Sequence, residues 1–388
     1  MLIDDTPTSM EEFRREVRGF LDRFLTPDMR AASARQIGLY SEPSIGRRWH
    51  RILYEKGWIT PSWPTAHGGI GWSALQMYLF DQECAHAEAP VLPAAGLLMC
   101  GPTLIAFGSA EQQARFLPRL RSGEDYWCQG YSEPGAGSDL AALACRATRD
   151  DNDYVVNGTK IWTTHAQHAN WIFLLVRTAT QGRPQHGITF LLMDLSSPGV
   201  TIRPIISMSG EHEVNQVFFD AVRVPVRNRV GAENEGWKIA KRLLEFERSG
   251  VYGPRTRRIL ARIERLARAD GALWSHREFR RRFAQISIET DTLEASELRL
   301  VSAEPAVPSS SAASLLKLAG TQTMQRATEL AVLAGGVGAA YQLEPTPLGA
   351  LDEPAISMAR YLNARAATIY GGSSEVQRNI LARSVLGL

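Results

Sequence analysis

Residues 129–140 read QGYSEPGAGSDL, and this stretch concentrates residue types that can do chemistry. Gly135 and Gly137 flank a single alanine, with Tyr131 and Ser132 before them and Ser138 after. Backbone without side chains can approach an anion closely, and hydroxyls can donate to it, so the stretch reads as an anion-holding turn. Two well-known phosphate loops are excluded. A nucleoside-triphosphate loop requires Gly-x4-Gly-Lys-Ser/Thr, and no lysine is here. A dinucleotide turn requires Gly-x-Gly-x-x-Gly opening a helix, whereas Gly135-Ala136-Gly137-Ser138-Asp139-Leu140 has only the first pair of glycines. An ordinary surface turn is the alternative reading of the same residues.

The rest of the chain must position this turn. Ser9-x-x-Glu12 reads as a capping box, followed by Phe13, Val17, Phe20, Leu21 and Phe24 at helical spacing. Helical patterns recur to about residue 122, broken by PSWPTAHGGIGW. The period then changes. YVVNGTKIW carries Asn157-Gly158 as a predicted hairpin turn, and WIFLLVRT, GITFLLMDL, GVTIRPI and NQVFFDAVRVP are short β-branched and aromatic runs. After GAENEGW the helical period returns, interrupted by the predicted loops AEPAVPSSS and LEPTPLGALDEP. The order predicts an α+β, multi-domain chain: a helical domain over 1–125, a β-barrel or sandwich over 126–231, and a second helical domain over 232–388.

Composition sets outer bounds. The chain has 388 residues, a formal net charge of +2 and a 44% apolar fraction, which predicts two or three substructures around ample cores. The near-neutral balance gives no sign of nucleic acid and favours a small-molecule enzyme. Cys84, Cys100, Cys128 and Cys145 form no Cys-x-x-Cys pair and no cluster with histidine, so buried thiols in a reducing cytoplasm are expected and no metal site. The N-terminus MLIDDTPTSMEEF is acidic rather than leader-like, and no stretch approaches the roughly 18 apolar residues of a membrane span.

Four stretches, YSEPGAGSDL, NGTKIWTTHAQHANW, EFERSG and IYGGSSEVQRNILA, occur in an order and at distances that resemble the acyl-CoA dehydrogenase family across nearly the whole chain. The resemblance implies that family's fold, with a C-terminal four-helix-bundle-like domain. It also implies FAD as cofactor, with its pyrophosphate met by the loop around Gly137 and Ser138. Tyr131 and Ser132 would then lie near the flavin ring, and Trp162 and Thr164 would cover one flavin face and bond its edge. A core aromatic is the alternative for Trp162. Ser373 and Glu375 fall where the family holds the adenosine side, and helix N-capping by Ser373 or Ser374 is compatible with that. The implied reaction converts an acyl-CoA thioester to a trans-2-enoyl-CoA, with hydride passing from Cβ to flavin N5 and electrons onward to an electron-transferring flavoprotein. The chemistry is coherent: no side chain accepts hydride, so a cofactor must, and a carboxylate in an apolar cleft supplies the base.

Many members carry that base as glutamate in a Tyr-Glu-Gly-Thr motif, where this chain reads Tyr370-Gly371-Gly372-Ser373. A smaller branch carries it on an earlier helix, and Glu247 in EFERSG matches that placement, with Gly371 leaving space. In the resemblance the thioester oxygen is held by the N–H at position 371 and by the FAD ribityl chain. Glu245 is the competitor, but two residues along a helix turn a side chain by about 200°, so only one can face the flavin. A solvated helix face is the other reading of Glu247. Members usually also donate Arg-x-x-Phe-Gly and Gln-x-x-Gly-Gly motifs to the neighbouring subunit's FAD. Here RLARADGALWSHREF offers only Arg268 for the first, and Val332-Leu333-Ala334-Gly335-Gly336 keeps Gly335 and Gly336 without the amide. A homotetramer is expected, with a mixed α2β2 tetramer, which the resemblance to some sterol-degrading relatives implies, as the alternative. A flavin oxidase or monooxygenase, or a non-catalytic partner subunit, are the competing functions.

Overall fold

A computed structural model describes residues 7–247, 251–269, 271–302, 310–340 and 353–388. Helices α1 (Pro7–Phe24), α2 (Pro27–Arg35), α3 (Pro43–Lys56), α4 (Ala74–His86), α5 (Gly101–Phe107) and α6 (Ala110–Ser122) form the first unit, with a π-helical segment Ala95–Cys100 leading into α5. Ser73 with Gln76 and Ser109 with Gln112 make reciprocal capping boxes that start α4 and α6. The box expected at Ser9 and Glu12 does not start α1, because the helix already runs from Pro7, whose ring suits a first turn. Phe20 packs against Trp49 and Trp58, and Phe13 meets Trp72 edge-on, so the apolar stripe predicted for α1 is its core face.

The middle unit is one eight-stranded sheet in the order β6-β7-β3-β2-β4-β5-β8, with β1 beside β4. The strands are β1 (Trp127–Gly130), β2 (Arg146–Asp150), β3 (Asp153–Thr164), β4 (Trp171–Arg177), β5 (Ile188–Asp194), β6 (Val200–Ile205), β7 (Val214–Pro225) and β8 (Arg229–Val230). Strand β4 is buried on both faces. Trp171, Phe173 and Leu175 face a core shared with α6, while Ile172, Leu174 and Val176 face a second core between the two halves of the sheet. Asn157-Gly158 is a bulge within β3 and not a hairpin turn, which lies between Asp150 and Asp153. Gly158 takes φ +144°, and the chain runs so close to Cys145 that an added Cβ would sit 2.8 Å from its Cα, so glycine is required here. Asn157 Oδ1 accepts from the Ala221 N–H across the bulge at 2.9 Å.

The last unit holds α7 (Gly236–Glu247), α8 (Gly253–Ala269), α9 (Gly271–Ser275), α10 (Arg277–Val301), α11 (Ser310–Ala340), α12 (Glu353–Ala364) and α13 (Ser374–Leu381). Helices α8, α10, α11 and α12 pack as a bundle, with α11 touching the other three. Residues 303–309 and 341–352, the greater part of the two predicted loops, lie outside the described residues. Ser310 and Ser311 of the first are already in α11, and Glu353 and Pro354 of the second in α12. Three arginines tie the bundle to the first unit: Arg258 and Arg262 of α8 pair with Glu88 at 3.3 and 3.0 Å, and Arg360 of α12 donates to the Gln36 carbonyl at 2.8 Å. Among the described residues, no helix is long and apolar enough to cross a membrane, and no group of metal-binding side chains is present. Three cysteines are buried and Cys84 is half-buried, all free.

Candidate active site

The glycine turn leaves β1 and is held from beneath. Glu133 and Ala136 exchange two backbone hydrogen bonds at 3.0 Å each, closing the chain over Pro134-Gly135. The buried Glu133 carboxylate accepts from Ala144 N at 2.6 Å, Cys145 N at 3.0 Å and Lys160 Nζ at 2.6 Å. Lys160, fully buried on β3, also donates to the Tyr131 carbonyl at 3.2 Å. A buried cation and carboxylate are tolerable only when paired and hydrogen-bonded, and here the partners come from the turn, from the two residues just before β2, and from β3. Gly137 and Ser138 are exposed, Ser132 is half-buried, and a Cβ built at Gly135 or Gly137 meets nothing within 4 Å. The turn therefore presents bare backbone to open space. Tyr131 differs from its neighbours: its ring is buried edge-on to Phe173 and Phe190 in the core.

Strand β3 carries the next feature two residues after Lys160. The register against β7 slips between Lys160 and Thr163, a bulge in which Trp162 takes φ +59° and stands 58% exposed. A bulky residue in the left-handed region is strained, and strain of this kind collects at functional sites. The core alternative for Trp162 is thereby ruled out. Thr163 points inward, fully buried, its Oγ1 making no hydrogen bond among the described residues, and Thr164 is half-buried opposite Val214. His165 follows at φ +57°, its N–H bonded to Glu213 O at 2.9 Å and its Nδ1 2.5 Å from the Tyr126 hydroxyl. Burial, with His168 and His212 adding repulsion, lowers its pKa to about 4, so the ring is neutral and shares one hydrogen bond with the phenol through Nδ1. The buried carboxyl of Glu213 accepts from the Leu39 N–H and from Asn363 at 3.3 Å, joining all three units at one point. Desolvation raises its pKa.

Helix α7 lays Ile239, Ala240 and Leu243 into the core shared with β4 and β5. Glu247 is its last residue, four positions after Leu243. The side chains of Glu245 and Glu247 and all of Arg248–Gly250 lie outside the described residues. Tyr370-Gly371-Gly372 forms a turn in which both glycines have positive φ, +64° and +87°. Ser373 caps α13 by accepting from Val376 N at 3.4 Å, and Glu375 is exposed in that helix's first turn, its pKa lowered by backbone and Ser373 hydrogen bonds.

Arg268 is engaged within its own unit: it pairs with Glu264 at 2.7 Å, and its guanidinium stacks over Trp274 at 4.3 Å. Gly336 breaks α11 with φ +55° and ψ −141°, a conformation natural only to glycine, and Gly335 precedes it half-buried. Glu133, Lys160, His165 and Glu213 escaped the sequence reading. The available signal was a lysine at a core position of a strand that otherwise buries Tyr154 and Val156.

Three family models cover the chain: the acyl-CoA dehydrogenase N-terminal domain over residues 7–124, the middle domain over 128–222 and the C-terminal domain over 234–386. The chain belongs to the acyl-CoA dehydrogenase family. It is 38% identical to acyl-CoA dehydrogenase IpdE1 of Mycobacterium tuberculosis over 98% of each chain, and 34% identical to FadE26 of the same organism over 100% of this chain and 99% of that one. Among solved structures, it superposes with a TM-score of 0.85 on the Tcur3481-Tcur3483 steroid ACAD, at 29% identity over 99% and 98% of the two chains. The ChsE4-ChsE5 complex of M. tuberculosis matches with a TM-score of 0.83, at 33% identity over 100% and 99%. As an acyl-CoA dehydrogenase it is an oxidoreductase of a flavoprotein family, and a flavin suits the residues present. The open face at Gly135 and Gly137 leaves room for an anion, and the outward-facing indole of Trp162 offers an aromatic surface to a planar ring.

Proposed function

We propose that this acyl-CoA dehydrogenase uses FAD to convert an acyl-CoA thioester to its trans-2-enoyl-CoA, with Glu247 as the α-proton base. The exposed, strained Trp162 beside the open glycine turn carries the cofactor part of this reading. Gly137, Ser138 and Ser132 would hold the pyrophosphate and ring edge, Trp162 and Thr164 the ring, and Ser373 and Glu375 the adenosine side. When bound, FAD supplies the hydride acceptor that no side chain can provide. The chain's own work is to bind the thioester, take its α-proton on a Glu247 carboxylate oxygen, and stabilise the charge that develops on the thioester oxygen with the Gly371 N–H. Glycine at 371 leaves room for a base arriving from α7. Electrons then pass to an electron-transferring flavoprotein.

The decisive experiment is Glu247→Gln, which keeps volume but cannot take the proton. Turnover should fall on the order of 10²–10⁴-fold with FAD and acyl-CoA binding retained. Near-normal turnover removes Glu247 from the role. For assembly we propose a homotetramer, with a mixed α2β2 tetramer as the second reading, supported by the likeness to a complex of two named chains, ChsE4-ChsE5.

A further inference from the structure

A buried lysine of the bundle fastens both ends of the Tyr370-Gly371-Gly372 turn. Lys317 of α11 is only 3% exposed, and its Nζ donates to the Ala367 carbonyl at 3.3 Å and to the Gly372 carbonyl at 2.6 Å. These two carbonyls stand on either side of the turn, so a single ammonium gathers both ends. Gln377 of α13 adds a second donor to Gly372 O at 3.2 Å, and Gln325 of α11 holds Ala364 O and Arg365 O at 3.0 and 3.2 Å. Within the turn, Ile369 N and Tyr370 N both bond to Ala366 O, whereas Gly371 N–H meets no acceptor among the described residues. The carbonyls of this segment are drawn into the bundle, while the amides of Gly371 and Gly372 are left without acceptors among the described residues.

We propose that Lys317 is a positioning residue that aims the Gly371 N–H at the thioester oxygen. Two glycines in succession at positive φ give the turn little stiffness of its own, since glycine moves between these conformations freely. Fixed donors stabilise a developing oxyanion because they need no reorganisation during the reaction, and a loosely held amide loses that advantage. Lys317 supplies the rigidity from outside the turn by crosslinking its two ends. This inference rests on the reading of position 371 as the thioester donor.

The test uses acetoacetyl-CoA, which ionises to an enolate with charge on the thioester oxygen and has no need of turnover. Its ionisation is followed by absorbance across pH on flavin-loaded wild type, Lys317→Met and Lys317→Arg. Wild type should lower the ligand's apparent pKa, Lys317→Met should lose about one unit of that lowering, a tenfold change, and Lys317→Arg should recover part of it. Unaltered lowering in a folded, flavin-loaded Lys317→Met overturns the proposal. No lowering by wild type overturns it together with the donor role of position 371, which separates the two failures. If Lys317→Met does not fold, Gln377→Met carries the test. That change removes the second donor to Gly372 O along with a buried Oε1 that has no partner among the described residues, and it should shift the ligand pKa in the same direction by a few-fold. No shift in Gln377→Met then overturns the proposal.

Discussion

The Tyr126 hydroxyl lies 2.5 Å from His165 Nδ1, and this contact joins the residue before β1 to the residue that follows the Trp162–Thr164 segment. The imidazole pKa is lowered from 6.5 to about 4, by burial first and then by His168 and His212. The unfolded chain therefore binds the proton more readily than the folded one. Stability from this site is full above pH 6.5 and is lost as pH falls toward 4. Thermal melts across that range should show the wild-type midpoint falling on acidification. His165→Asn, which tolerates a left-handed backbone, should show a shallower fall. Parallel curves would mean that other groups set the acid sensitivity.

Replacing Lys160 with methionine leaves Glu133 buried without its cation. Stranding one partner of such a pair costs about 3–5 kcal/mol, so the melting temperature should drop steeply. The double variant Lys160→Met with Glu133→Gln should regain much of that loss, because no charge is left behind. A double variant as unstable as the single would show that shape, and not charge, governs the site.

At Gly336 the cost of a side chain is confined to the backbone, since an added Cβ meets nothing within 4 Å. Gly336→Ala should destabilise by about 1–3 kcal/mol through the positive φ alone, measured by denaturant titration. A neutral result would mean that α11 continues straight through this point when given a residue that prefers a helix.

Assembly is tested by flavin retention. A single-chain tetramer lacking the usual donated motifs should hold FAD weakly, and a partner that supplies them should raise flavin occupancy and melting temperature together, because a ligand bound only by the folded state stabilises it by mass action. Full, tightly held FAD in the chain purified alone would exclude the mixed tetramer.

The helix, sheet, helix order was legible because hydrophobic periods of 3.6 and 2 record which face is buried. The two local errors share a cause. Ser9-x-x-Glu12 and Asn157-Gly158 are short signals that neighbouring structure overrode: α1 had already begun at Pro7, and Gly158 was required by the close approach of Cys145. The glycine turn, Trp162 and the Gly371-Gly372 pair were legible as motifs. Their supports were not, because Glu133 lies 27 residues from Lys160 and Lys317 lies 55 from Gly372, separations that no local pattern spans.

Glu133 is saturated by two backbone amides and one ammonium, all from the protein itself, so the glycine turn is already shaped before any ligand arrives. Ordering entropy at this turn is thus spent during folding, leaving little to lose on association. Flavin uptake by empty protein should accordingly follow a single bimolecular phase at this turn, its rate rising linearly with flavin concentration, without a slow rearrangement to saturate it.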